Sequence, residues 1–125
     1  MEKHPWLAYK NWAVVGASQN PSRYGNRIVH RLNESGFNVI PVTPNYDKID
    51  DIKAYPSLLE VDSEIDVVVF VVNPRIGIHI LDEVIEKGIK RIWLQPGTVN
   101  KAILQKAEEQ GIEVIEACIL VVLSY

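Results

Sequence analysis

Residues 12–42 read WAVVGASQNPSRYGNRIVHRLNESGFNVIPV, and this stretch decides the fold. It opens on a short apolar run, Trp12 to Val15, that suits a buried strand. A turn of small and polar residues follows. From 22 to 35 the apolar or small positions are Gly25, Ile28, Val29 and Leu32, the spacing of one helix face. Gly36 supplies a residue that takes the left-handed conformation at a helix end. Phe37 to Val42 then begins a second strand. Strand, helix, glycine and strand make one βαβ unit.

The same punctuation recurs down the chain. Helical spacing returns at 75–87 (Ile76, Ile80, Leu81, Val84, Ile85) and at 99–110 (Val99, Ile103, Leu104, Ala107). Gly88 and Gly111 end these helices, and each is followed by isoleucine and a new apolar run. Strands are predicted at 12–15, 37–42, 66–72, 91–94 and 112–115. The unbroken run from Val67 to Val72 is what a parallel strand covered on both faces requires. Regular alternation predicts an α/β fold: a three-layer, doubly wound, mostly parallel sheet, Rossmann-like. In that order the first strand lies between the second strand and the 66–72 strand. A ligand then sits at their carboxyl ends, which nominates the loops after Val15, Val42 and Val72.

The rest of the chain is less regular. Residues 53–55 read as a short edge strand and 57–61 as one helical turn. Residues 118–123 are apolar without helical spacing and read as a last edge strand or a segment packed on the sheet. Residues 1–10 read as an N-terminal arm or short helix pinned by Trp6. With 125 residues, the expectation is a single domain spanning 1–125.

Composition narrows the function classes. At 47% hydrophobic and 23% charged the chain is ordinary globular protein, not a disordered one. A net charge of −3 offers no basic field for nucleic acid. One cysteine, Cys118, rules out an internal disulfide and a Cys-rich zinc site. His4, His30 and His79 have no ligand-like spacing, so no metal site is expected. The opening Met1-Glu2-Lys3-His4-Pro5 lacks the apolar core of a signal peptide, and the longest apolar runs are too short to span a bilayer. The expected location is cytoplasmic, with no membrane partner.

The first nominated loop carries the most chemistry: Gly16, Ala17, Ser18, then Arg23, Tyr24, Gly25 and Asn26 at the helix start. Gly16 permits a tight turn, Ser18 offers a hydroxyl, and the first N–H groups of the helix are free to hold an anion. Gly25 falls on the apolar helix face, where it allows close packing on the sheet. The spacing is neither Gly-x-Gly-x-x-Gly nor a Walker motif. The loop reads either as a phosphate-binding turn or as a turn that simply needs small residues. The second loop, Val42, Thr43, Pro44 and Asn45, lacks the acid that holds the ribose of NAD. Hydroxyl and amide groups with Lys48 nearby better suit a phosphorylated ribose, as in NADP or coenzyme A, although Lys48 also reads as a solvated surface residue.

In the third loop, Val72, Asn73 and Pro74, the proline fits a first helical turn and Asn73 its N-cap. A fourth loop, Leu94, Gln95 and Pro96, places a polar Gln95 at the cleft rim. Arg27 and Arg31 read as a solvated stripe, with Arg23 nearer any phosphate. Cys118 reads as a buried apolar residue. No set of acid, base and nucleophile emerges, so no catalytic residue is assigned.

Four segments in order carry a resemblance: Val14 to Ser18 with Pro21 to Asn26; Pro41 to Asn45; Ala54 to Leu58; and Trp93 to Asn100. Together they resemble the small stand-alone CoA-binding proteins, which are similar to the CoA-binding domain of the succinyl-CoA synthetase α subunit. The resemblance implies a cofactor, coenzyme A or an acyl-CoA. Its pyrophosphate would rest near Gly16, Ala17, Ser18 and Arg23 to Asn26. Its adenosine would lie near Val42, Thr43, Pro44, Asn45 and Lys48. Val72, Asn73, Pro74, Leu94, Gln95 and Pro96 would line the remainder. The sequence departs from the family where relatives carry a basic pair and this chain has Val72-Asn73-Pro74-Arg75. It departs again at Glu116-Ala117-Cys118, where relatives carry Asp-Arg-Cys. The resemblance implies a non-catalytic binding or regulatory module with a small-molecule CoA partner. The alternative is an NADP- or CoA-using enzyme subunit completed by a partner chain.

Overall fold

Every second residue of a strand faces the same side, so a strand buried on both faces feeds two cores. Strand β1 (Asn11–Val15) does this: Ala13 and Val15 join one apolar cluster, Trp12 and Val14 the other. The computed structural model describes residues 4–124; Met1 to Lys3 and Tyr125, part of the predicted arm included, lie outside the described residues. Five parallel strands form the main sheet: β1, β2 (Asn38–Val42), β5 (Val67–Phe70), β6 (Arg91–Leu94) and β7 (Glu113–Glu116). Their order is β2-β1-β5-β6-β7, with β1 between β2 and β5 as predicted. Helices α1 (Tyr24–Glu34) and α4 (Ile119–Val122) cover the face with Trp12 and Trp93. Helices α2 (Pro74–Glu86) and α3 (Lys101–Glu109) cover the face with Phe70 and Leu94. This is the three-layer α/β arrangement, Rossmann-like, that the sequence predicts.

The differences fall outside this frame. Residues 53–55 do not form one edge strand. Lys53 belongs to an antiparallel hairpin of β3 (Lys48–Ile49) and β4 (Ile52–Lys53), while Tyr55 makes a single parallel bridge to Val42. A two-residue turn at Asp50 and Asp51 explains it: Asp50 adopts φ 51°, a left-handed conformation Asp tolerates. Leu58–Glu60 is the predicted helical turn. The 118–123 segment is not an edge strand. Its β-branched composition favours a strand, but Gln95 Oε1 accepts the Ile119 N–H at 2.7 Å and starts a helical turn instead. Ile119 is then fully buried. At the other end Pro5–Ala8 is a 3-10 turn, and Trp6 packs edge-on against Trp93, which meets Trp12.

Candidate functional site

Three helices leave the carboxyl ends of sheet strands β1, β5 and β6, and their first turns differ. The α2 start is capped: Asn73 Oδ1 accepts the Ile76 N–H at 3.1 Å, with Pro74 in the first turn as predicted. The α3 start is capped in the same way by Asn100 Oδ1 on Ile103 N–H at 2.9 Å. The α1 start has Arg23 at the cap position, and its side chain makes no capping bond. A helix N-terminus carries free N–H groups and a partial positive charge. At α1 that charge is reinforced by Arg23 and by Arg27, whose guanidinium stacks 5.1 Å from the Tyr24 ring. Arg27 is exposed, as the sequence predicts, and meets Tyr24 at the surface.

The turn leading into α1 is built for close approach. Gly16 sits at φ 102°, and a Cβ there would come 2.8 Å from the Val71 carbonyl oxygen. A Cβ on Gly25 would collide with the Gly16 carbonyl and crowd Ala17. Gly25 thus packs against the turn itself, where the sequence predicts contact with the sheet. Gly16 and Ala17 donate to the Val42 carbonyl at 3.0 and 3.4 Å, which ties the turn to the end of β2. Ser18 Oγ accepts from Asn20 N–H at 3.0 Å, and Asn26 Nδ2 donates to the Ser18 carbonyl at 3.0 Å. Asn26 is buried, so it holds the loop from beneath.

These parts wall a cleft of about 670 Å³. Gly16, Ala17, Ser18, Arg23, Tyr24 and Gly25 form one side. Val42, Thr43, Pro44 and Asn45 form the next, with Thr43 Oγ1 accepting from Asn45 N–H at 3.2 Å. Val72 closes the β5 side. The predicted 66–72 strand ends at Phe70, and Val71 and Val72 continue beyond the sheet as cleft wall. A second cavity of about 270 Å³ lies alongside, lined by Asn73, Gln95 and Pro96 among others.

Some predicted residues are placed differently. Lys48 is exposed on β3 and does not line the cleft; its carbonyl accepts from Gln19 Nε2 at 2.8 Å. Pro74 and Leu94 line neither of these two cavities; Pro74 shapes the first turn of α2 and Leu94 is buried in the core. Gln95 is not a rim group: it is 4% exposed and its amide is spent on Ile119 and Cys118. Cys118 is half-buried and lines the second cavity, not the apolar core. Burial pushes its thiol up, but hydrogen bonds from the Val121 backbone, the Gln95 amide and the Leu120 backbone, with the Arg27 charge, leave it below its ordinary range.

Sequence reasoning missed Tyr46, Pro56, Ser57 and Glu83 in the cleft. Glu83 Oε1 accepts from Ser57 Oγ at 2.9 Å and from Leu58 N–H at 3.1 Å, fastening the 56–58 segment to α2. No local signal marks a pair 26 residues apart. Among the described residues, no group of three or more His, Cys, Asp or Glu could hold a metal ion. None of their helices is long and apolar enough to cross a membrane.

A parallel sheet whose cleft opens where strand order reverses, beside an uncapped helix start, defines a doubly wound α/β binding domain. A family model for the CoA binding domain matches residues 10–124, and the chain belongs to that family. It is 40% identical over 83 residues to the ADP-forming acetate–CoA ligase II of Archaeoglobus fulgidus, covering 65% of this chain and 12% of the ligase. It is 35% identical over 114 residues to YneT of Bacillus subtilis, covering 90% of this chain and 84% of YneT. A solved structure from Pyrococcus furiosus superposes with TM-score 0.86 at 43% identity, over 90% of this chain and 98% of that one. The chain is a CoA-binding domain related to ADP-forming CoA ligases.

Proposed function

We propose that the chain binds coenzyme A or an acyl-CoA in the strand-end cleft and acts as a binding or regulatory module without a catalytic set of its own. The observation that carries this reading is the open α1 start, set behind the Gly16 turn and facing a cleft of about 670 Å³. Fixed N–H groups and Arg23 suit a pyrophosphate. Gly16, Ala17, Ser18, Arg23, Tyr24 and Gly25 would hold that group, with Asn26 supporting the loop. Val42, Thr43, Pro44 and Asn45 would hold the adenosine end, where the lack of an acid disfavours the ribose of NAD. Val72, Asn73, Gln95 and Pro96 would border the arm that carries the thiol.

Calorimetric titration with CoA, acetyl-CoA, NADP and NAD tests this. CoA binding well above NADP and NAD is the expected result; NADP binding above CoA overturns it. A second reading has its own observation: the matching segment is only 12% of the A. fulgidus ligase. In that reading the chain supplies CoA to a partner that carries the chemistry. Turnover of acyl-CoA substrates only after a partner chain is added would favour it.

A further inference from the structure

Charges on the outer side of α1 are left without acidic partners. In a chain of net charge −3, two salt bridges form among the described residues: His30 with Asp50 at 2.8 Å, and Lys106 with Asp82. Neither involves Arg27 or Arg31, which stand exposed one turn apart on α1. Two like charges at that spacing repel and weaken a helix. Glu34, the one acid of α1, bridges to neither arginine.

Helix α4 adds an apolar neighbour. Its single turn, Ile119–Val122, is apolar on every side, so burying one side exposes another. Ile119 enters the core, and Val121, on the opposite side of the turn, is 56% exposed. Leu120 lies between them. With Arg27, His30, Arg31 and Glu34 it lines a groove of about 390 Å³ between α1 and α4. The groove follows residues 26–34, about 12 Å of helix axis. Unpaired cations beside an exposed valine suit a partner that carries both carboxylates and an apolar side chain. A planar guanidinium forks onto a carboxylate through two hydrogen bonds, and arginine is enriched where proteins meet. A phosphate would satisfy the arginines but leave Leu120 and Val121 in water. A purely apolar partner would strip water from two cations without replacing it.

We propose that the α1–α4 groove docks an acidic, amphipathic segment of a partner protein, with its carboxylates on Arg27 and Arg31 and an apolar side chain against Leu120 and Val121. The groove shares no lining residue with the strand-end cleft, so the proposal stands or falls independently of what the cleft binds.

The test is selection of short peptides from a random phage-displayed library on the folded chain, after removal of binders to an Arg31→Glu/Val121→Ser double variant. Recovered peptides should be rich in Asp and Glu around an apolar residue. By fluorescence anisotropy, Arg31→Glu should weaken a recovered peptide about tenfold or more, since attraction becomes repulsion. Val121→Ser should weaken it about three- to tenfold through lost apolar burial. Lys101→Glu makes the same change of charge on α3, across the sheet, and should alter affinity less than about twofold. All three side chains are exposed, so the variants should melt with the wild type. Recovery of basic or uncharged peptides, or of none beyond those that bind the double variant, overturns the docking site. Equal losses from Arg31→Glu and Lys101→Glu overturn it too, as does tighter binding of a single-stranded oligonucleotide or of phosphatidylglycerol vesicles than of the recovered peptides.

Discussion

The β1–α1 turn and the β6–α3 turn have the same plan and opposite finish. Each leaves a sheet strand at its carboxyl end, and each uses a glycine at positive φ, Gly16 at 102° and Gly97 at 86°. In the β6–α3 turn the polar groups satisfy one another. Thr98 bonds the Gln95 carbonyl, Gln95 bonds Ile119, and Asn100 caps the helix. In the β1–α1 turn the helix start is left without a side-chain cap. An N-cap contributes about 1 kcal/mol. Withholding it from one helix while supplying it to its neighbours keeps donors available for a ligand. The glycines repeat the contrast: a Cβ on Gly16 would strike the Val71 backbone, whereas one on Gly97 meets nothing within 4 Å.

The sharpest way to break this contrast is Gly25→Val. The new side chain would collide with the Gly16 carbonyl, which is backbone and cannot swing aside. A loss of roughly 2–3 kcal/mol in unfolding free energy is expected, with CoA affinity falling in parallel. Gly97→Ala should cost only about 1 kcal/mol, from its left-handed φ, and leave affinity close to wild type. Chemical denaturation and calorimetry on both proteins read the difference; equal losses would mean the two turns are not distinct.

Arg23→Asp asks whether the missing cap is a functional choice. Asp caps well and favours the helix dipole, so stability should rise by about 0.5–1 kcal/mol. CoA affinity should fall about ten- to hundredfold, since a charge-assisted bond becomes a repulsion. A melting temperature and an affinity that move together would argue that Arg23 is structural only.

Cys118 sharpens the comparison from the β6 side. The thiolate is the reactive form, and the fold lowers the thiol's pKa from its ordinary value. Its alkylation rate should therefore reach half-maximum at a lower pH in the folded protein than in the denatured one. A midpoint in the folded protein at or above the denatured one would show that burial outweighs the Gln95 and backbone bonds. The smallest effect is expected at Lys48, whose side chain stands outside the cleft: Lys48→Ala should change stability by less than about 0.5 kcal/mol. Its CoA affinity should stay within about twofold of wild type by titration, because an exposed charge outside the cleft contributes little.

Much of this was readable along the chain because it depends on neighbours in sequence. Val14 to Asn26 holds strand, turn glycine and helix start together, so the cleft's first wall is legible locally. Asn73 beside Pro74 announces its own cap. For Lys48 the sequence left a cleft residue and a solvated one open, and the choice depended on a hairpin closed by Asp50 at positive φ. Gln95 and Cys118 were misjudged because each is defined by the other and by Ile119, across 23 and 24 residues.

By itself, then, the sequence determined the alternation of strands and helices, the parallel sheet and the loops at its carboxyl edge. Those features follow from periodicity and from residues whose backbone preferences act over a single turn. Only the tertiary structure decided which polar groups remained free. Gln95 was consumed by α4 and Glu83 by the 56–58 segment. The α1 start was left open. A polar side chain is spent or available according to what folding brings beside it, and that is set by contacts between distant segments.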